Sequence, residues 1–148
     1  MMKLLFYFLP VLCGVAIAVQ TIVNGQLRLA IGSPLVAAFI SFFIGTVVLF
    51  ILILITRQPA PSIQTLQQVS LGKWAGGLLG AFFVTAVIMS IQKIPAATLF
   101  ALIITSQLIT ALIIDQFGWF GAIQSPANAL KIVGAVLLLV GAYFIIKK

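Results

Sequence analysis

Hydrophobic residues run in five long stretches along the chain, separated by short links that contain polar residues, glycine or proline. The stretches cover residues 4–23, 34–56, 74–91, 96–115 and 129–146. Each approaches the roughly 20 apolar residues that a helix needs to cross the hydrocarbon core of a bilayer. The pattern predicts an all-α integral membrane protein with five transmembrane helices per chain, forming a single transmembrane domain over residues 1–148.

The links are short apart from one. The segment 24–33 is expected to be a tight connection, whereas 57–72 is the longest polar stretch. Within it, Ile63, Leu66 and Val69 recur every three residues, which favours a short helix lying at the membrane surface.

The N-terminus has two interpretations. Lys3 followed by an apolar run and the small residues Ala16 and Ala18 is typical of a cleaved signal peptide. Because four more hydrophobic stretches follow, we favour a retained first span.

Composition excludes several classes of protein. The chain is 64% hydrophobic and 6% charged, against about 45–50% apolar and about 25% charged residues in soluble domains. With one acidic residue, one cysteine and no histidine, a single chain cannot build a zinc site or a catalytic carboxylate pair. We therefore expect no enzyme activity, no catalytic residue, no metal and no cofactor.

The net charge of +7 is informative only when it is divided by side of the membrane. Five spans place the termini on opposite sides, and each side then carries four basic residues: Lys3, Arg57, Lys73 and Lys131 on one, Arg28, Lys93, Lys147 and Lys148 on the other. Because orientation follows the Lys/Arg asymmetry of the loops, the balance predicts insertion in both orientations, although Lys3 alone could still bias it. The basic excess indicates contact with anionic lipid rather than with nucleic acid.

Copies inserted both ways up can pair antiparallel. Two such chains would form a ten-helix body with inverted-repeat symmetry, the plan of many secondary transporters. The expected partner is therefore a second copy of the chain, in an antiparallel homodimer.

Polar side chains inside the spans are candidates for substrate binding, because they are costly in lipid unless they face a wet cavity or another helix. They are Gln20 and Asn24, which share one face of the first span, and Ser106 and Gln107 in the fourth. Bonding between helices explains Gln107 about equally well. Arg28 continues the Gln20–Asn24 line. The three residues together could receive a polar or anionic solute, but for Arg28 we favour the solvated end of the helix.

Asp115 is the only carboxylate, and it lies near the end of the fourth span. A negative charge there opposes the helix dipole, so we interpret it as a gating or ion-coupling candidate. An Asx turn with the residues that follow, or an ion pair with Lys131, is the structural alternative.

Glycines recur at intervals of four or seven, a spacing that lets transmembrane helices approach closely. The predicted helix-packing positions are Gly72, Gly76, Gly77, Gly80, Gly134 and Gly141.

Several motifs in order resemble the YdcZ-type family of small five-span bacterial membrane proteins in the drug/metabolite transporter superfamily. They are Gln20-x-x-x-Asn24, the run from Pro34 to Thr46, Trp74-x-Gly76-Gly77-x-x-Gly80-Ala81, Pro95-x-Ala97-Thr98 with Gln107, and Asp115-x-Phe117-Gly118. The chain departs from the family pattern at Ser106, Gln116 and Lys131, where glycine, histidine and arginine are expected.

The resemblance implies a multi-pass protein of the bacterial cytoplasmic (inner) membrane that forms half of a ten-helix transporter. The leading hypothesis is a secondary transporter of a small solute that works by alternating access as a dual-topology homodimer. A small dual-topology channel and an accessory or scaffold subunit are the alternatives.

Overall fold

The computed structural model describes the backbone of residues 2–147 and the side chains of residues 6–147. Met1 and Lys148 lie outside the described residues, so the Lys148 charge in the count above is a property of the sequence alone. The α-helices are α1 (Met2–Ile31), α2 (Pro34–Ile55), α3 (Ile63–Gln67), α4 (Ala75–Ser90), α5 (Ala96–Phe117) and α6 (Ala129–Ile146). Short 3-10 segments at Leu71–Trp74 and Trp119–Gly121 precede α4 and follow α5.

Five helical segments are long and apolar enough to cross a membrane, as the hydrophobic pattern predicts. They are Phe6–Ile31, Pro34–Ile55, Leu71–Ser90, Ala96–Phe117 and Ala129–Ile146. Helix α3 is the short helix expected in the longest polar link. The described chain divides into two compact units, one ending at Lys93 and the other beginning at Ile94, and the single domain over residues 1–148 stays a prediction.

Local signals in the sequence set the helix ends. Ser33 caps α2, with its hydroxyl accepting from the Val36 amide, and Pro34 occupies the first turn. The Asn128 side chain accepts from the Lys131 amide at 2.9 Å at the start of α6. Gly118, at φ 63°, closes α5, because a left-handed conformation is accessible to glycine without steric cost.

The first helix is longer than the sequence predicts. It continues past the expected end at Val23 to Ile31, and Gly32 at φ 77° stops it. The segment 24–33 is therefore helical for most of its length and is not a connection. Asn24 and Arg28 can lie within the helix because other helices of the same unit supply their hydrogen-bond partners.

In the first unit, α1, α2 and α4 pack against one another. Ala37, Ala38 and Ile88 form the buried core, with Leu27 and Val84 packed against it. Because Ala37 and Ala38 have small side chains, the neighbouring helices can approach the backbone of α2 closely.

In the second unit, α5 packs along α6. Its buried residues are Leu99 and Ala101 of α5 and Ala142 of α6. The large apolar side chains of both helices, such as Ile104 and Leu137, are exposed, as expected for surfaces in contact with lipid or with another chain.

Candidate functional site

Asn24 is the most deeply buried of the predicted binding residues. Its side chain is 6% exposed, and Nδ2 donates to the hydroxyl of Ser41 on α2 at 3.2 Å. A buried amide requires such a partner. Asn24 therefore lies within the helix, bonded to α2, and not at the helix end where the sequence had placed it.

Gln20 lies one turn before Asn24 and is exposed. It lines an open groove between α1 and α2 of about 260 Å³. The other residues of this groove, which we call the Gln20 groove, are Ser41, Phe42, Gly45, Thr46 and Leu49. An amide that can both donate and accept thus meets a mostly apolar surface, an arrangement suited to a small amphipathic solute.

Arg28 of α1 forms hydrogen bonds with the C-terminal end of α4. It is half-buried, and Nη1 donates to the carbonyl oxygens of Ile88 and Met89, each at 3.3 Å. The last carbonyls of a helix lack donors of their own and carry the negative end of its dipole. Arg28 is therefore a cap on α4, and its interpretation as a solvated helix end was wrong.

Replacing Arg28 with methionine is expected to destabilise the purified protein by about 2 kcal/mol, since hydrogen bonds from a charged donor are lost and two carbonyls lose their partner. Thermal or denaturant unfolding in detergent measures the change. Arg57→Met, the same substitution at an exposed arginine, is the matched control and should leave the midpoint within experimental error. Equal midpoints for the two variants would mean that Arg28 does not cap α4.

Sequence reasoning missed two further residues on this face of α1. Thr21 is 5% exposed. Gly25 is also buried, and a Cβ built on it would lie 2.8 Å from Gln92 Nε2 and 2.9 Å from Ile91 Cγ2. Their spacing of four, one residue after the Gln20–Asn24 pair, was the available signal.

Ser106 and Gln107 lie on α5 in the second unit, and both are exposed. The Ser106 hydroxyl donates to the carbonyl oxygen of Ile103 at 2.9 Å. Beside them, Thr105 has a buried hydroxyl oxygen with no hydrogen-bond partner among the described residues. It lines a groove between α5 and α6 of about 350 Å³.

Asp115 is half-buried near the end of α5, and its backbone carbonyl accepts from the Ser125 amide at 3.0 Å. Lys131 Nζ donates to Ser125, at 2.6 Å to the carbonyl oxygen and 2.7 Å to the hydroxyl. The ion-pair alternative required a bond from Lys131 to the Asp115 carboxylate. Among the described residues, the Lys131 ammonium is bonded to the loop instead. Gln116 also holds this loop, because its Oε1 accepts from the Ala127 amide at 2.8 Å.

Most of the predicted packing glycines face open space. Apart from the adjacent residues and the backbone of the glycine's own helix, no described atom lies within 4 Å of a Cβ built on Gly72, Gly76, Gly77, Gly134 or Gly141. At Gly80 such a Cβ would meet Phe42 Cζ at an ordinary 3.6 Å. The close helix approach predicted at these glycines stays a prediction.

Known proteins are similar in sequence to this chain over most of its length. The family described as “Putative inner membrane exporter, YdcZ” matches residues 5–144. A protein of Escherichia coli (strain K12) named “Inner membrane protein YdcZ” is 35% identical over 140 residues, which cover 91% of this chain and 90% of the relative. No solved structure gives a significant match to the chain.

Proposed function

We propose a transport function for this chain, which belongs to the YdcZ family of inner membrane proteins. It is a multi-pass protein of the inner membrane with five candidate spans, and its family is described as exporters and not as a class of enzymes. Within that frame, we propose that the chain is a secondary transporter that moves a small solute by alternating access.

The observation that carries the proposal is the exposure of polar side chains in the middle of apolar helices. Gln20 on α1 and Gln107 on α5 are both exposed. A lipid-facing amide is costly, so such residues are rare unless they face a cavity, a substrate or another chain. Two of them in one small protein favour a solute pathway over a purely structural role.

The four predicted binding residues receive different roles in this proposal. Gln20, Ser106 and Gln107 present exposed polar groups to the solute. Asn24 is buried and bonded to Ser41, so it acts as a positioning residue that holds α1 against α2. Asp115, near the end of α5, is proposed as a gating residue, because it carries the one acidic side chain of the sequence and is half-buried.

We further propose that two copies work as an antiparallel dual-topology homodimer. The equal division of basic residues between the two sides supports insertion in both orientations. The open surfaces at Gly76, Gly77, Gly134 and Gly141 supply faces on which a second copy could pack closely. The terminal lysines would then contact anionic headgroups on both leaflets.

Counterflow in liposomes tests the proposal. Purified protein is reconstituted in vesicles preloaded with unlabelled solute, and uptake of the labelled solute is followed across a panel of small amphipathic compounds. A transporter gives saturable uptake that is stimulated by the preloaded solute. Fluxes that do not saturate would indicate a channel, and the absence of flux across the panel would leave a scaffold role as the better account.

A further inference from the structure

A second, much smaller cavity lies on the other side of Gln20, inside the first unit and between α1 and α4. Its volume is about 20 Å³. It is lined by Ile17, Gln20, Thr21, Asn24, Phe83, Val84, Val87 and Ile88. We call it the inner cavity, to distinguish it from the open Gln20 groove between α1 and α2.

Two of the three polar residues around the inner cavity are almost fully buried, with Thr21 5% and Asn24 6% exposed. The donor Nδ2 of Asn24 is directed to Ser41, which leaves Oδ1 able to accept a further bond. The Thr21 hydroxyl can donate and accept, and so can the amide of Gln20. A partner in the cavity that can both donate and accept would use this bonding capacity and would be stabilised there.

The size of the inner cavity indicates which molecule can bind there. A water molecule requires roughly 10–15 Å³ of such space and two to four polar neighbours. The inner cavity offers about 20 Å³ and three polar side chains, so it accommodates one water molecule but not an organic solute. We propose that it is a binding site for a single internal water molecule, bridging Gln20, Thr21 and Asn24.

A sodium ion is disfavoured on electrostatic grounds. None of the lining residues carries a charge, so a cation would lose its hydration without a compensating negative group. The nearest charge along this face of α1 is the Arg28 guanidinium, one turn beyond Asn24, which repels cations. Water, which is neutral and can both donate and accept, matches the three neutral side chains.

The internal water has a consequence for the Gln20 groove, since Gln20 lines both spaces. A water bonded on the inner side restrains the amide that the groove presents on its outer side. The site itself does not depend on transport, so a failure of the counterflow experiment and a failure of the test below are distinguishable.

Water-to-methyl nuclear Overhauser measurements on the full chain, methyl-labelled in detergent micelles, test the proposal. We expect cross-peaks between the water resonance and the methyl groups of Val84 and Val87, which line the inner cavity. The Ala37 methyl, fully buried in the same unit and outside the lining, is the internal control and should show none. Thr21→Val should weaken the Val84 and Val87 signals severalfold, whereas Thr21→Ser, which keeps the hydroxyl, should retain them.

Thr110→Val is the matched control for loss of a hydroxyl, because the Thr110 Oγ1 donates within its own helix to the carbonyl oxygen of Ser106 at 2.9 Å. It should leave the signals unchanged. Absence of water cross-peaks to Val84 and Val87 in the unmodified protein would overturn the proposal whatever the variants do. Shifts of the Val84 and Val87 methyl resonances, with the Ala37 methyl unchanged, when sodium chloride replaces choline chloride would also overturn it, by identifying a cation in the inner cavity.

Discussion

Liposomes that contain the Gln107→Leu variant are expected to show counterflow about tenfold slower than liposomes with the unmodified protein. This factor is equivalent to one hydrogen bond of roughly 1.4 kcal/mol. Gln107 lies in the middle of α5 with its side chain exposed. Leucine has a similar size and a comparable helix propensity, so the variant removes the polar contact without disturbing α5. Gln20→Leu should reduce counterflow to a similar extent if both amides contact the solute.

The control for these variants is Gln64→Leu, the same substitution at an exposed position of the short helix α3. It should transport at the rate of the unmodified protein. If Gln107 merely faces lipid, Gln107→Leu will stabilise the protein and leave counterflow unchanged. That outcome would remove Gln107 from the proposed site.

Gly25→Leu is expected to destabilise the fold by about 3 kcal/mol, at the upper end of the cost of overpacking. A Cβ alone at this position already lies 2.8 Å from Gln92 Nε2 and 2.9 Å from Ile91 Cγ2. The amide of Gln92 is the end of a flexible side chain, but the methyl of Ile91 belongs to a stiff β-branched one. The end of α4 must therefore move away from α1, and the Arg28 bonds to Ile88 and Met89 would be strained with it.

Gly14 provides the matched control for Gly25. It lies in the same helix, and apart from its chain neighbours and the backbone of that helix no described atom lies within 4 Å of a Cβ built on it. Gly14→Ala should stabilise the protein by about 0.5–1 kcal/mol, because alanine is the better helix former. Thermal unfolding in detergent should thus show shifts of opposite sign for Gly14→Ala and Gly25→Leu, and a neutral Gly25→Leu would mean that α1 and α4 are not in close contact there.

The sequence predicted the five helices well because apolar length is a local property. The predicted start of α6 at residue 129 is the observed one, because the last hydrophobic stretch begins there. The end of α1 was misplaced because Asn24 and Arg28 look like boundary residues when their partners are unknown. Those partners, Ser41 and the last carbonyls of α4, become adjacent only through tertiary packing.

The candidate site was predictable in composition but not in role. The spacing of Gln20 and Asn24 placed both on one face of α1, yet it could not tell that one is exposed and the other buried. Likewise, Lys131 and Asp115 looked like natural partners, but the loop around Ser125 places hydrogen-bond acceptors at the Lys131 ammonium. Burial and loop geometry decide these roles, and neither is a local property of the sequence.

The central claim is that this chain forms half of an antiparallel transporter, and the orientation of its C-terminus tests it most directly. A cysteine appended after Lys148 in a Cys13→Ala background, with Cys13 the one native cysteine, is labelled in spheroplasts with a membrane-impermeant maleimide before and after permeabilisation. The balanced distribution of Lys and Arg predicts that about half of the chains are labelled before permeabilisation. Labelling of nearly all chains, or of almost none, would contradict the antiparallel homodimer.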